Sequence, residues 1–222
     1  MKKFLKKFKN LYSVLKNLKR TLIKAQKTYT KEMNYIIETT KVFLFWKKIN
    51  IKFIYMGGQE QFKIIKKIKS YLPKKGYLID IGANIGMNSP CLYFYEKDWN
   101  GVAIEASPET FDTLSKNIKK NKFQIEPLNI AVSDKNSFTN FYIDIDNKDS
   151  GLSSIYKTHV IGSSEIENLR KYMKVKVESK TLNDIWKDLG NPKVDLLKID
   201  IEGSDAEVLL STNFDLLKPK II

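Results

Sequence analysis

Two runs of residues carry the types and spacing that could do chemistry. The first is Asp80-Ile81-Gly82-Ala83-Asn84-Ile85-Gly86, an acid followed by two glycines with three residues between them. The second is Lys198-Ile199-Asp200-Ile201-Glu202-Gly203, in which three charges alternate with isoleucine. Between the two runs stand Glu105, 19 residues beyond Gly86, and the segment Asn129-Ile130-Ala131-Val132-Ser133. Glycine lets a backbone turn sharply and lets a ligand come within contact distance. A carboxylate at the end of the next strand can accept both hydroxyls of a ribose. Charges that alternate along an extended strand point to one face, and charges in an otherwise apolar, buried strand need partners or a function.

These residues can act together only if regular elements bring them together. From Tyr77 the rhythm of the sequence is strand, helix, strand. Tyr77–Ile81 reads as a first strand and Gly86 to about Glu96 as a helix. Gly101–Glu105 is a second strand, Pro108 to Asn121 a second helix and Glu126–Ala131 a third strand. Val194–Ile201 is a fourth strand, apolar enough to be buried on both faces. Asp205–Leu210 reads as a helix, and Lys218–Ile222 as the start of a fifth strand. Such alternation predicts an α/β fold, a doubly wound and mostly parallel sheet of the Rossmann type. Within the insert between strands three and four, Phe138–Ile145 and Lys174–Ser179 alternate like exposed strands, with a loop at Asp149 to Ser154.

In a doubly wound sheet ligands sit at the carboxyl ends of the strands. A dinucleotide pyrophosphate calls for G-x-G-x-x-G and a P-loop ends in G-K-[ST]; neither is present here. The glycine loop is instead preceded by an acid, which suits a cofactor with a cationic end. S-adenosylmethionine carries an ammonium group there, where NAD would place phosphate. The expected cofactor-binding set is Asp80, Gly82, Ala83, Asn84 and Gly86 for the methionine end, Glu105 and Ala106 for the ribose, and Asn129 and Ala131 for the adenine edge. On the fourth strand Asp200 is the expected general base or acceptor-orienting carboxylate. Glu202 would assist it or bind acceptor hydroxyls, and Lys198 would hold a positive charge beside Asp200. A purely structural Lys198–Asp200 pair is the alternative, and no metal is expected.

The net charge of +14 is not spread over the chain. Residues 1–75 hold 21 basic and 3 acidic residues, a balance of +18; the remainder holds 18 basic and 22 acidic, a balance of −4. From Lys2 to about Lys27, Phe4, Phe8, Leu11, Leu15, Leu18 and Leu22 recur at spacings of four and three with lysine on the other faces, the pattern of a basic amphipathic helix. Such a helix could make peripheral contact with an anionic membrane, or pack its stripe on the body of the protein. Gln59 to Leu72 reads as another helix, ended by Pro73-Lys74-Lys75-Gly76. Lysine recurs where the apolar region of a secretory signal would be, and no run has the ~18 apolar residues of a membrane span. A cytoplasmic location follows as the expectation, with the inner membrane face as its peripheral variant. Cys91 and His159 are the only cysteine and histidine, so neither an intrachain disulfide nor a Cys/His zinc site can form.

From Gly57 onward, about three quarters of the chain, the sequence resembles the FkbM family of methyltransferases. The matching pieces are Asp80–Gly86, Trp99-Asn100-Gly101 through Glu105-Ala106-Ser107-Pro108, Asn129–Ser133 and, most specifically, Lys198–Gly203. The middle glycine of the general methyltransferase loop is Asn84 here, as is usual for that family. The resemblance implies a class I methyltransferase fold over residues 57–222 behind a basic, largely helical extension at 1–56. It also implies S-adenosylmethionine as donor and a hydroxyl as acceptor, on a sugar, a glycan or a small metabolite. Ser153 and Ser154 resemble a serine pair in that family's insert and are candidates for the acceptor pocket. The general fold continues beyond a fifth strand, so the sequence reads as truncated at its C-terminus. Two alternatives stand beside this one. The first is an RNA methyltransferase that holds phosphate with the +18 segment, against which the segment lacks regularly interleaved aromatics and no N-P-P-[YF] turn follows the fourth strand. The second is an inactive remnant that serves as an interaction module.

Overall fold

Tyr77–Ile81 (β3) forms a strand because four of its five residues are buried and hydrogen-bonded neighbours flank it on both sides. Asn100–Ile104 (β4) pairs with it in parallel from Tyr77↔Asn100 to Ile81↔Ile104, and Leu196–Ile199 (β9) pairs in parallel on its other edge from Leu78↔Leu196 to Ile81↔Ile199. Ile125–Leu128 (β5) extends the sheet beyond β4, giving the order β5-β4-β3-β9. The computed structural model describes residues 41–44, 47–50, 65, 67–145, 153–161 and 171–222. All of them belong to the unit Ile37–Ile222. The predicted basic helix at Lys2–Lys27, most of the segment 30–56, most of the helix predicted from Gln59, and the loop from Asp149 to Leu152 lie outside them. Lys41–Leu44 (β1) and Lys47–Asn50 (β2) pair antiparallel.

Each face of the parallel sheet is covered, as such sheets require. On one face Leu78 and Ala103 pack with Phe94 and Tyr95 of Leu92–Tyr95 (α1) and with Leu114 and Ile118 of Pro108–Asn121 (α2). On the other, Ile79, Ile81, Val102 and Ile104 pack with Leu182 and Ile185 of Leu182–Asp188 (α4), Val208 of Asp205–Ser211 (α5) and Phe214 and Leu217 of Phe214–Leu217 (α6). Burying each of these aliphatic side chains stabilises the fold by about 1.5–3 kcal/mol. The bounds of α2 are those the sequence predicts, because its ends are local: Ser107 caps the first turn, Pro108 follows, and Lys122 closes the helix in a left-handed conformation.

Three elements depart from expectation. The helix predicted from Gly86 is confined to Leu92–Tyr95, and residues 84–91 form successive turns in which Gly86 N donates to Ala83 O, Ser89 N to Gly86 O and Leu92 N to Ser89 O. Pro90 is the reason, since it has no amide to donate and disfavours helical backbone at Ser89. The third strand stops at Leu128; Ala131–Val132 (β6) leaves for a second sheet, where it pairs with Tyr172–Lys180 (β8). Ser137–Asp144 (β7) is the antiparallel partner of β8, so the two exposed strands of the insert are one ladder. Finally, α4 was not foreseen, although Thr181 caps it through the amide of Asp184. The short helix Lys157–Ile161 (α3) lies within the insert and contains His159, whose side chain is outside those described. Of the expected fifth strand, Ile221 makes a parallel bridge to Leu196.

Candidate active site

The order of the parallel sheet reverses between β3 and β9, and a crevice opens at such a switch point beyond the carboxyl ends of the strands. Here it is a cleft enclosing about 880 Å³, its solvent-open part included. Gly82 turns the chain out of β3 with φ +75°, and a Cβ there would stand 1.9 Å from the carbonyl oxygen of Asp200. Asn84 also has positive φ, 53°, a conformation asparagine tolerates better than most residues. Its side chain accepts from Ile85 N at 2.7 Å. Gly86, at φ +77°, packs against Leu114. It shapes the loop and does not line the cleft.

Glu105 follows β4 and is buried. Its carboxylate accepts from Asn84 N at 3.0 Å through Oε2 and from Ser107 N at 2.9 Å through Oε1. Burial pushes its pKa above the ordinary carboxylate value, and those amides together with Lys198 oppose the shift only in part. Asn129 is exposed, and its Nδ2 donates to the carbonyls of Glu105, at 2.8 Å, and Ala106, at 3.3 Å. It therefore holds the backbone that presents Glu105. Ala106 and Ala131 line the cleft; Asn129 does not.

Asp80 also differs from expectation. It is fully buried on the face of β3 that meets α1. Ser89 Oγ donates to its Oδ2 at 2.5 Å and Tyr95 O–H at 2.6 Å, while Lys198 Nζ stands 3.2 Å from Oδ1. It is not among the residues that line the cleft. The Lys198 ammonium also donates to Gly82 O at 2.6 Å and Ile81 O at 3.2 Å, and lies 3.9 Å from Asp200 Oδ2. Burial works against its charge, but Asp80 and then Asp200 outweigh burial and raise its pKa above the lysine value of 10.5. The Lys198 ammonium is thus held among four oxygens, those of Asp80, Gly82, Ile81 and Asp200.

Lys198, Asp200 and Glu202 all line the cleft, but they do not reach it by strand alternation. β9 ends at Ile199. Asp200 N makes one further bond, to Ile81 O at 3.1 Å, and the chain then turns with φ 51° at Glu202 and 107° at Gly203. The turn forms because the Asp205 carboxylate accepts from Ile201 N at 3.1 Å and Gly203 N at 3.3 Å. Sequence reasoning missed Asp205, which holds amides four and two residues before it. It also missed the groups that complete the cleft: Asn88 and Ser89 beyond the glycine loop, Thr110 on α2, Phe141 on β7, and Ile155. Ser153 lines the cleft as expected; Ser154 is fully buried beneath it. Among the described residues no group of three His, Cys, Asp or Glu could hold a metal ion, and no helix is long and apolar enough to cross a membrane.

A parallel sheet with helices on both faces, a glycine turn after its central strand and an acid after the next define the Rossmann-like class of methyltransferase folds. Residues 80–222 match the family described as the methyltransferase FkbM domain, and the chain belongs to that family. It is 27% identical over 151 residues to Methyltransferase 1 of Beauveria bassiana (strain ARSEF 2860), across 62% of this chain and 58% of that protein. It is 29% identical over 170 residues to Methyltransferase sdnD of Sordaria araneosa, across 62% of this chain and 61% of that protein. The chain thus spans about three fifths of the length of each of these curated relatives. No solved structure matches it.

Proposed function

We propose that the chain is an S-adenosylmethionine-dependent methyltransferase that methylates a hydroxyl of a sugar, a glycan or a small metabolite. The observation that carries this reading is the charge of the cleft. Among the described residues that line it, Glu105, Asp200 and Glu202 are acids, and the one basic residue, Lys198, is paired with buried Asp80. A pyrophosphate cofactor would be repelled by this field. S-adenosylmethionine, with a sulfonium and an ammonium against one carboxylate, would be attracted. The residues present fit it. Each Glu105 oxygen already accepts one backbone amide and keeps acceptor capacity for a ribose hydroxyl.

The donor supplies a methyl group activated by its sulfonium charge; this chain supplies alignment and a base. Alignment of two reactants is worth up to about 7–11 kcal/mol, and a positioned base about 10²–10⁴-fold. Glu105 and the Gly82–Asn84 backbone fix the donor end. Asp200, with 40% of its side chain exposed, takes the proton of the acceptor hydroxyl, and Glu202 accepts from neighbouring hydroxyls. Lys198 keeps a positive charge beside Asp200 and ties it to the glycine loop.

Calorimetry with S-adenosylmethionine and NAD tests the cofactor. Micromolar binding of the first, lost in Glu105→Ala, is expected; binding of NAD alone overturns the reading. Transfer of labelled methyl from the donor tests the acceptor. Label is expected on hydroxyl compounds, and label on RNA bases overturns the hydroxyl assignment.

A further inference from the structure

Glu202 has a backbone conformation that side-chain-bearing residues rarely adopt, with φ 51°. Backbone strain of this kind persists only where surrounding bonds over-determine it, and it concentrates where a side chain must point in one direction. The bonds are present on both sides of Glu202. The Asp205 carboxylate takes the amide before it and the amide after it. Ser154, fully buried, donates from Oγ to Glu202 O at 2.7 Å and accepts from Tyr156 N at 3.0 Å. Ser154 is in turn fixed to β7 by two backbone bonds with Tyr142, of 2.8 and 3.0 Å. The Tyr156 hydroxyl donates to Glu207 on α5, and burial followed by that carboxylate pushes its pKa up to about 12. The segment 153–156 is therefore fastened once to the turn after β9 and once to α5, and it contributes Ser153 and Ile155 to the same cleft that Glu202 lines.

We propose that Ser154 and Asp205 are positioning residues that together clamp Glu202 so that its carboxylate faces the methyl-donor cleft, with Ser154 tying this geometry to the insert. The inference rests on the donor reading given above. Glu202 then contributes to the field felt by a cationic donor. The field matters less for S-adenosylhomocysteine, which lacks the sulfonium.

The test is the ratio of affinities for S-adenosylmethionine and S-adenosylhomocysteine, measured by calorimetry on the full chain. Glu202→Gln lowers the ratio by about two- to fivefold, as expected for a carboxylate acting across a solvated cleft. Ser154→Ala and Asp205→Ala each lower it by a similar factor, and neither lowers it further when combined with Glu202→Gln. Asp205→Asn keeps one acceptor oxygen and falls between. A ratio unchanged in Glu202→Gln, or lowered there but unchanged in both clamp variants, overturns the proposal. If the parent chain binds neither compound, the donor reading fails by itself. The clamp is then judged by amide hydrogen exchange in residues 200–204, which is faster in Ser154→Ala and Asp205→Ala if the clamp exists and unchanged in both if it does not.

Discussion

Replacing Lys198 with methionine tests the central electrostatic feature of the cleft floor. In the parent, the Lys198 ammonium neutralises Asp80, which has no exposure at all, and also donates to Gly82 O and Ile81 O. Methionine is of similar length, so little cavity opens. What remains is a buried carboxylate that keeps its two hydroxyl donors but has lost its counter-charge. Removing one partner of a buried pair costs about 3–5 kcal/mol. At roughly 2–4 °C per kcal/mol for a chain of this size, the melting temperature falls by about 6–20 °C. Urea unfolding followed by tryptophan fluorescence reads the loss as a lower midpoint at unchanged slope. Asp80→Asn removes the orphaned charge, so the double variant recovers part of the loss, with a coupling of about 1–3 kcal/mol. The pH dependence has a definite sign. Lys198 is a base whose folded pKa is raised, so its pairing contributes in full below the unfolded value and is lost as pH rises through the folded one. The deficit of Lys198→Met is therefore constant through neutral pH and closes only above about pH 10.5. A variant within about 1 kcal/mol of the parent, or a double variant that shows no coupling, refutes the reasoning.

Three further outcomes follow from the same geometry. Glu105→Ala removes charge-assisted acceptors worth about 1.5–3 kcal/mol, so affinity for S-adenosylmethionine falls about ten- to a hundredfold by calorimetry. Burial raises the pKa of Glu105, and the proposed role of its ionised form as ribose acceptor predicts that parent affinity holds above that raised value and weakens as pH falls through it; an affinity independent of pH would contradict this. Gly82→Ala places a Cβ 1.9 Å from Asp200 O at φ +75° and destabilises the fold by about 3 kcal/mol or more in urea unfolding. Asn129→Ala weakens donor binding severalfold in the parent but not in Glu105→Ala, because Asn129 acts through the backbone of Glu105; an equal loss in both backgrounds would make it a direct contact.

What the sequence revealed was mostly what is local. β3, the limits of α2 and the turn at Gly82 each rest on neighbours within a few positions, and their residues announce them. The misread helix after Gly86 was also a local matter, since Pro90 was visible and its effect on Ser89 outweighs helical periodicity. The role of Asp80 was not local. Its position before the glycines suggested a ligand contact, but the pleat of β3 turns it toward Tyr95, and its counter-charge comes from Lys198, far along the chain. The same holds for Asn129, whose hydrogen bonds go to the end of another strand. The two insert strands were legible from their alternation, but the fact that Phe141 of β7 reaches the cleft depends on how the second sheet stands against the first, which no periodicity encodes.

A buried ion pair is by itself weak evidence of stability, because an apolar pair of similar volume often serves as well or better. The Asp80–Lys198 pair does something that an apolar pair could not. Gly82 must turn with positive φ so that the Asp200 carbonyl can pass close to its Cα, and this turn points the Gly82 carbonyl at Lys198, which donates to it at 2.6 Å. An apolar residue at 198 would leave that carbonyl without the donor, at a cost of about 1–3 kcal/mol. Asp80 then keeps the ammonium in place without adding net charge to the floor of the cleft. Among the described residues the acids that line the cleft are Glu105, after β4, and Asp200 and Glu202, after β9. Lys198 thus works as the internal counter-ion of Asp80 and as the donor that holds the glycine turn.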